Sequence, residues 1–229
     1  MKRKLSAISD KPHDPAIRRS RRIAKIQETS FSETSPPSTP SQLTIYTIGH
    51  GTRSLSELIE ILQGSKITQL VDVRSIPRSF TNPQFNQDAL GSSEHLRKAK
   101  INYLQMGQAL GGLRKKQPGT EQHKALRVAS FRNYAAHMGT PIFTEGMMEL
   151  QALVEKHWHD TGCGTAIMCS ETLWWRCHRR MISDALTTKG WKVKHLGIKK
   201  IPDDHVLWDI ARVDDRGKLI YDNVRDSEM

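Results

Sequence analysis

The order of three segments near the start of the chain restricts its fold more than any other feature of the sequence. Thr44-Ile45-Tyr46-Thr47-Ile48 is a β-rich run, broken by Gly49-His50-Gly51. Ser54 stands where an N-cap belongs, and Glu57 follows three residues later as its capping-box partner. Leu55, Leu58, Ile59 and Leu62 recur at helical spacing and Gly64 supplies a stop, so the pattern predicts a helix over 55–63. Gln69-Leu70-Val71-Asp72-Val73-Arg74 reads as a second strand. Strand, helix and strand in that order predict a parallel pair joined by a right-handed crossover.

The rest of the chain extends this pattern. Residues 87–99 are helix-like, and Ile101 to Leu104 is a third short strand. Gly107 to Gly119 reads as a flexible basic loop. Helices are predicted from Phe131 to Met138 and from Pro141 to about His157. Thr165 to Met168 is a further apolar strand, and Met181, Ile182, Ala185 and Leu186 mark a helix after it. Trp191 to Leu196 alternates like an edge or late strand. The expected fold is α/β: a single compact domain with a mainly parallel, Rossmann-like sheet. That domain occupies 43–229, with a core at 43–197 and a charged extension at 198–229, in which Val206 to Ile210 forms a short docked element.

Composition explains the remaining N-terminal part. The hydrophobic content of 37% is low for a wholly folded chain of 229 residues. Residues 1–42 account for part of that: they are rich in Ser, Pro, Thr and charge, and are expected to be disordered, with Ser35 to Pro40 as a stiff linker. This tail carries nine Lys/Arg against four Asp/Glu, a net +5 of the chain's +11, which leaves +6 on the domain. A domain basic in its own right points to a polyanionic partner, nucleic acid, with DNA preferred to RNA; the plainer alternative is a basic surface and nothing more. Lys2-Arg3-Lys4 and Arg18-Arg19-Ser20-Arg21-Arg22, thirteen residues apart, read as a two-part nuclear import signal, with the cytoplasm as the alternative location. Three cysteines, an odd count without disulfide-rich spacing, fit a reducing compartment. No apolar run approaches membrane-spanning length. No Gly-x-Gly-x-x-Gly and no Walker A sequence is present, so no nucleotide cofactor is expected.

In a parallel sheet the strand ends share one edge, and ligands bind there. That edge is predicted to gather His50, then Asp72 and Arg74, then Tyr103 and Gln105, then Cys169 and Glu171. Beyond Cys169 come Trp174, Trp175, Arg176, Cys177, His178 and Arg179, a mixture that neither a plain core nor a plain surface explains. Cys169 is a candidate nucleophile if helix amides and Arg176 lower its pKa, against the simpler reading of a buried inert thiol. A phosphate-binding cysteine loop has five residues between Cys and Arg, and here Arg176 lies one position too far. Cys163, Cys169, Cys177 and His178 are ligand types, but adjacent Cys177 and His178 on a helix diverge by about 100°. No metal is therefore expected. His178 shares a stripe with Ile182 and Ala185, so a hydrogen-bonded core histidine is its alternative role. For Asp72 and Glu171 the alternative is structural ion pairing.

Several motifs together carry a resemblance. Ile48-Gly49-His50, Val71-Asp72-Val73-Arg74-Ser75, Asn82-Pro83-Gln84-Phe85-Asn86, Leu110-Gly111-Gly112, Phe131-Arg132-Asn133-Tyr134 and Met168-Cys169-Ser170-Glu171 through Trp175-Arg176-Cys177-His178-Arg179 resemble the DUF488 family over roughly 43–197. The resemblance implies a compact α/β domain of enzymatic character without naming a reaction. Where the family has an acidic residue before Leu-Gly-Gly, this chain has Gln108-Ala109.

The expected activity is that of a nucleic-acid-acting enzyme, a metal-independent hydrolase of DNA-glycosylase type with a repair role. Asp72 and Glu171 would flank a base or sugar, one stabilising positive charge on the sugar and the other moving a proton. His50 and Cys169 are further catalytic candidates. Arg74, Arg176 and Arg179 would neutralise phosphates, and Phe80, Phe85 or Trp175 would stack on the displaced base. Arg78, Asn82, Tyr103 and His178 complete the expected substrate pocket. Arg114, Lys115, Lys116 and Arg132, with Arg127, form the expected phosphate-contacting surface. The alternatives are a non-catalytic nucleic-acid or phosphate-binding module and a cysteine-dependent enzyme.

Overall fold

The computed structural model describes residues 43–223. The basic tail at 1–42, with its linker and its import-type clusters, and the final stretch 224–229 lie outside the described residues. β1 (Thr44–Gly49), α1 (Leu55–Gly64) and β2 (Ile67–Asp72) follow the predicted strand, helix and strand order, and the two strands run parallel. They are not the directly paired neighbours expected, because the strand at 164–169 is inserted between them. The capping box at the head of α1 is complete: Ser54 Oγ accepts from the Glu57 amide at 3.2 Å, and Glu57 Oε2 accepts from the Ser54 amide at 2.7 Å. Such a cap is worth about 1 kcal/mol. Leu58, Ile59 and Leu62 are the buried residues of α1, as their spacing requires.

Two short helices, α2 (Gln87–Gly91) and α3 (Glu94–Lys98), replace the single helix predicted over 87–99. The break falls at Ser92-Ser93, where Ser93 leaves the helical conformation and caps α3 through the Leu96 amide. Next come β3 (Asn102–Gln105), α4 (Gly107–Leu110), α5 (Ala129–Met138), α6 (Pro141–Thr161), β4 (Gly164–Cys169), α7 (Arg179–Thr187) and β5 (Lys192–His195). The predicted loop at 107–119 thus starts with a helical turn. α6 runs past its predicted end at His157 and stops at Gly162, whose φ of +67° suits a glycine C-cap.

The sheet order is β3-β2-β4-β1-β5-β6, parallel throughout except for β6 (Asp203–Asp204), which pairs antiparallel with β5. β4 is buried along its whole length, as expected for a strand covered on both faces. Alternate side chains feed two cores. Leu70, Ala166 and Met168 join Leu58, Leu62, Phe85 and Leu96 on one face. Val71 and Ile167 join Tyr134, Leu150, Met181 and Leu186 on the other. From β2 the chain moves outward to β3; from β4 it crosses to β5 on the far side of β1. The connections diverge between β2 and β4, and in such sheets a crevice opens where they do.

The extension is more ordered than its sequence pattern implies. β7 (Ala211–Val213) and β8 (Leu219–Tyr221) form a separate antiparallel hairpin. A buried polar chain ties this part to the sheet. Thr47 Oγ1 lies 2.7 Å from His195 Nδ1, His195 Nε2 lies 3.0 Å from His205 Nδ1, and His205 Nε2 lies 2.9 Å from Asp184 Oδ1. Asp184 also accepts from the Trp208 amide at 3.0 Å and from the Tyr221 hydroxyl at 3.0 Å. Trp174 stacks flat on His195 with ring centres 3.9 Å apart.

Candidate active site at the divergence of strands two and four

A cleft of about 290 Å³ opens at the ends of β2 and β4. Arg74 and Ser75 line it from β2, and Gly112 and Leu113 from the loop after α4. Phe131 and Tyr134 of α5 form a wall, while Cys169, Ser170, Glu171, Arg176, Cys177 and His178 come from the segment after β4. A larger hollow of about 570 Å³ between α5, α6 and β8 has neither a carboxylate nor a thiol among its lining residues. A third hollow, of about 710 Å³, is lined by Lys124, Arg127, Trp175, Arg180, Trp208 and Asp222. The two thiols, His178 and Glu171 all lie at the sheet-edge cleft.

Asp72, Arg74, Tyr103 and His50 meet as predicted, but as a closed network. Asp72 has no exposed surface. Its Oδ1 accepts from the Arg74 amide at 3.0 Å and from Arg74 Nε at 2.9 Å. Its Oδ2 accepts from Arg74 Nη2 at 2.5 Å and from the Tyr103 hydroxyl at 2.7 Å. Burial works against charge on Arg74, but Asp72 outweighs it and raises the guanidinium above its ordinary value. Arg74 Nη2 also donates to the Phe85 carbonyl at 2.6 Å. His50 donates from Nδ1 to the Gly51 carbonyl at 2.9 Å, and its Nε2 accepts from Arg74 Nη1 at 3.2 Å. Burial drives its pKa down to about 4, with Arg74 adding to the effect, so the ring is neutral. Burial and the Asp72 charge raise the Tyr103 phenol well beyond its ordinary range. Asp72, His50 and Tyr103 do not line the cleft. The lone pairs of Asp72 are taken by Arg74 and Tyr103, and its carboxylate holds Arg74 in place.

Several other predicted residues are engaged within the protein. Phe85 is fully buried and stacks on His50 at 4.2 Å, so it does not offer a face to a base. Phe80 is 91% exposed, with the Arg78 guanidinium 5.5 Å from its ring centre. Asn82 is half-buried in the loop before Phe85. Arg179 is buried and donates to the Glu171 carbonyl and to Cys177 Sγ, the latter at 3.5 Å. Arg114 donates to the carbonyls of Gly111 and Gln108, both at 2.8 Å. Arg132 similarly holds the Leu126 carbonyl at 2.6 Å. These three guanidiniums satisfy loop carbonyls, whereas Lys115, Lys116 and Arg127 are exposed. Glu171 and Arg176 are exposed at the cleft, whereas Trp175, 38% exposed, lines a separate hollow with Arg127, Arg180 and Trp208.

The floor of the cleft departs most from expectation. Trp174 to Arg176 form a single 3-10 turn, Cys177 is extended at φ −126° and ψ 152°, and α7 begins only at Arg179. Cys177 and His178 are therefore not successive positions of one helix, and the divergence predicted for them does not arise. Both reach Cys169: the three ligand-type atoms all lie within 4.8 Å of one another. His178 Nδ1 is 3.5 Å from Cys177 Sγ and 3.9 Å from Cys169 Sγ. Its Nε2 donates to the Val73 carbonyl at 3.0 Å, which leaves the Nδ1 lone pair facing the sulfurs. Burial opposes charge on Cys177, but a hydrogen bond from Cys169 and the Arg179 guanidinium outweigh it and bring its pKa to about 6. Cys169, as the donor in that bond and a buried group, rises to about 12. Cys163 sits just before β4, at the opposite end of the strand from Cys169.

Close backbone packing makes room for this arrangement. A Cβ placed on Gly112 would lie 2.6 Å from His178 Nδ1 and 2.8 Å from its Cγ. Glycine at 112 is thus what lets the loop after α4 close against the imidazole. Tyr134 and Phe131 were not among the predicted site residues, although the Phe131-Arg132-Asn133-Tyr134 motif named their segment. Tyr134 is fully buried and donates from its hydroxyl to the Leu110 carbonyl at 2.8 Å, which pins that loop to α5.

No helix among the described residues is long and apolar enough to cross a membrane. A search of curated proteins and a search of solved structures each returned no match. The model of the DUF488 family, a domain of unknown function, matches residues 54–186, more than half of the chain and nearly all of the elements that build the cleft, and the chain belongs to that family.

Proposed function

We propose that this protein is an enzyme that hydrolyses a bond in nucleic acid, DNA in preference to RNA, at a base or sugar held in the cleft. The observation that carries this reading is that an exposed carboxylate and an exposed guanidinium, Glu171 and Arg176, line the same cleft. Glu171 moves the proton to or from the leaving base. Arg176 grips the neighbouring phosphate, which a guanidinium does bidentately. Trp175, which lines the neighbouring hollow with Arg127 and Arg180, supplies a partly exposed ring on which a base extruded beside the cleft can stack. The net +6 of residues 43–229 supports a polyanionic substrate, with Lys115 and Lys116 as solvent-facing contacts. Asp72 takes no part in bond breaking in this scheme; it holds Arg74 at the cleft wall.

The test is incubation of the pure protein with a panel of damaged and undamaged DNA and RNA oligonucleotides. Wild type is expected to release product, and Glu171→Gln to lose about 10²–10⁴-fold in rate with binding unchanged. Tight binding by both without product would replace the enzyme with a binding module. Changing Lys115 and Lys116 to Ala is expected to lower the log–log salt slope of binding by about 0.7–0.9 per lost contact. The basic clusters of the tail support a nuclear location, and deletion of residues 1–26 is expected to abolish nuclear accumulation in a eukaryotic cell.

A further inference from the structure

We propose that Cys169, Cys177 and His178 bind one zinc-class divalent ion on the cleft floor, with the fourth coordination position open to the cavity. The site stands independently of the nucleic-acid reading, because it rests on ligand geometry. A tetrahedral ion with zinc–sulfur bonds of about 2.3 Å and a zinc–nitrogen bond of about 2.05 Å requires nitrogen–sulfur edges of about 3.6 Å. The two observed edges are 3.5 and 3.9 Å. All three ligand atoms fall within 4.8 Å of one another, so small side-chain shifts close the site.

The surroundings suit a metal centre as well. His178 donates its other ring N–H to the Val73 carbonyl, the support that metal-ligating histidines typically have. Arg179 Nε donates to Cys177 Sγ, which stabilises a bound thiolate. The Gly112 backbone packs against the imidazole beside Nδ1, where any Cβ would intrude, and it lines the same cleft as Cys169, Cys177 and His178. Two thiolates and one imidazole select zinc or a similar ion over magnesium or calcium. Binding displaces a proton from each thiol that carries one and changes no oxidation state. With three protein ligands and an open position, the centre matches the pattern of catalytic rather than structural zinc sites.

The test uses the full chain under reducing conditions, titrated with Co²⁺ and then with Zn²⁺. The expected result is one equivalent of Co²⁺ per chain, with the visible bands of tetrahedral cobalt and a thiolate charge-transfer band, both lost when Zn²⁺ displaces it. Cys169→Ser, Cys177→Ser and His178→Gln are each expected to weaken binding by at least about 100-fold, beyond the 10–100-fold typical of losing a supporting hydrogen bond. Cys163→Ser is expected to leave binding unchanged. Alkylation of wild type, read by mass spectrometry, covers the case of a variant that fails to fold: Zn²⁺ should shield Cys169 and Cys177 and leave Cys163 reactive. Absence of stoichiometric binding, or equal alkylation of all three thiols with and without Zn²⁺, overturns the site. A Cys169–Cys177 disulfide that persists as the active form would overturn it too, in favour of thiol chemistry.

Discussion

Replacing Asp72 with Asn separates a structural role from a catalytic one. The carboxylate and its Arg74 partner are 0% and 5% exposed, so solvent does little to screen the pair. Asn supplies one oxygen where Asp72 has two. In either amide orientation an NH₂ group faces donors: Arg74 Nε and the Arg74 amide on one side, Arg74 Nη2 and the Tyr103 hydroxyl on the other. The guanidinium is left buried without a counter-charge, and breaking one side of such a pair costs about 3–5 kcal/mol. For a chain of this length that lowers the melting temperature by roughly 6–20 °C. Tyr103→Phe removes a single hydrogen bond to a charged acceptor and is expected to cost about 1.5–3 kcal/mol. Urea unfolding followed by tryptophan fluorescence measures both: the midpoint should fall while the slope is unchanged. The double variant Asp72→Asn/Arg74→Gln is expected to cost less than the two single losses combined, because the second change removes the orphaned charge. A loss under about 1 kcal/mol for Asp72→Asn would refute this account of the buried pair. Strict additivity in the double variant would refute it as well.

Stability should also depend on pH through the buried histidines. Burial lowers His50 to about 4 and His195 further, so both stay neutral in the fold while their unfolded forms titrate near 6.5. Their stability is whole above that pH and declines as pH falls below it, by up to about 1.4 kcal/mol per pH unit for each ring. A urea midpoint constant from pH 7 to pH 5 contradicts this, and His195→Gln should flatten the decline. Gly112→Ala drives a methyl group against His178 Nδ1 and is expected to cost about 1–3 kcal/mol, measured by thermal denaturation; an unchanged midpoint would mean that the loop moves aside freely. Asp184→Ala orphans the donors of His205, Trp208 and Tyr221 and is expected to cost at least about 2 kcal/mol. It should also expose residues 198–223 to protease, and a hairpin as resistant as in wild type would show that other contacts hold it.

What the sequence made legible was local or topological. The Ser54–Glu57 box and the α1 stripe are patterns within ten residues, where spacing alone decides which atoms meet. The shared edge of His50, Asp72, Tyr103 and Cys169 followed from parallel pairing, which strand–helix–strand order dictates. The missed features depend on which partner a side chain chooses, near or far along the chain. Ion pairing was the alternative role for Asp72, and its Arg74 partner stands two residues on, but the closing contact comes from Tyr103 on the next strand, which no local pattern reports. Arg114, Arg132 and Arg179 read as phosphate contacts because a guanidinium serves a loop carbonyl and a phosphate equally well. The thiol–imidazole cluster was hidden by one turn of register. A helix starting before Cys177 would splay its side chain from that of His178, whereas the extended residue found there aims both at Cys169. The β7–β8 hairpin escaped notice because three-residue strands carry too few alternations to stand out from charged loop.

The chain of contacts from Thr47 to Asp184 has a sense of direction. A carboxylate can only accept, so the His205 proton must sit on Nε2, next to Asp184. When His205 carries that one proton alone, its Nδ1 is an acceptor, and His195 in turn carries its proton on Nε2. His195 Nδ1 accepts in the same way, and the Thr47 hydroxyl points its hydrogen inward. One anion on α7 thus sets the tautomer of two imidazoles and the rotor of a hydroxyl on β1, like a row of compass needles aligned from one end. Reversing any link requires every proton in the row to hop together, with the carboxylate unable to return one. With His205 singly protonated, both rings should therefore appear in nitrogen NMR as single, non-exchanging Nε2–H tautomers for as long as the C-terminal hairpin stays seated; a doubly protonated His205 would refute this order.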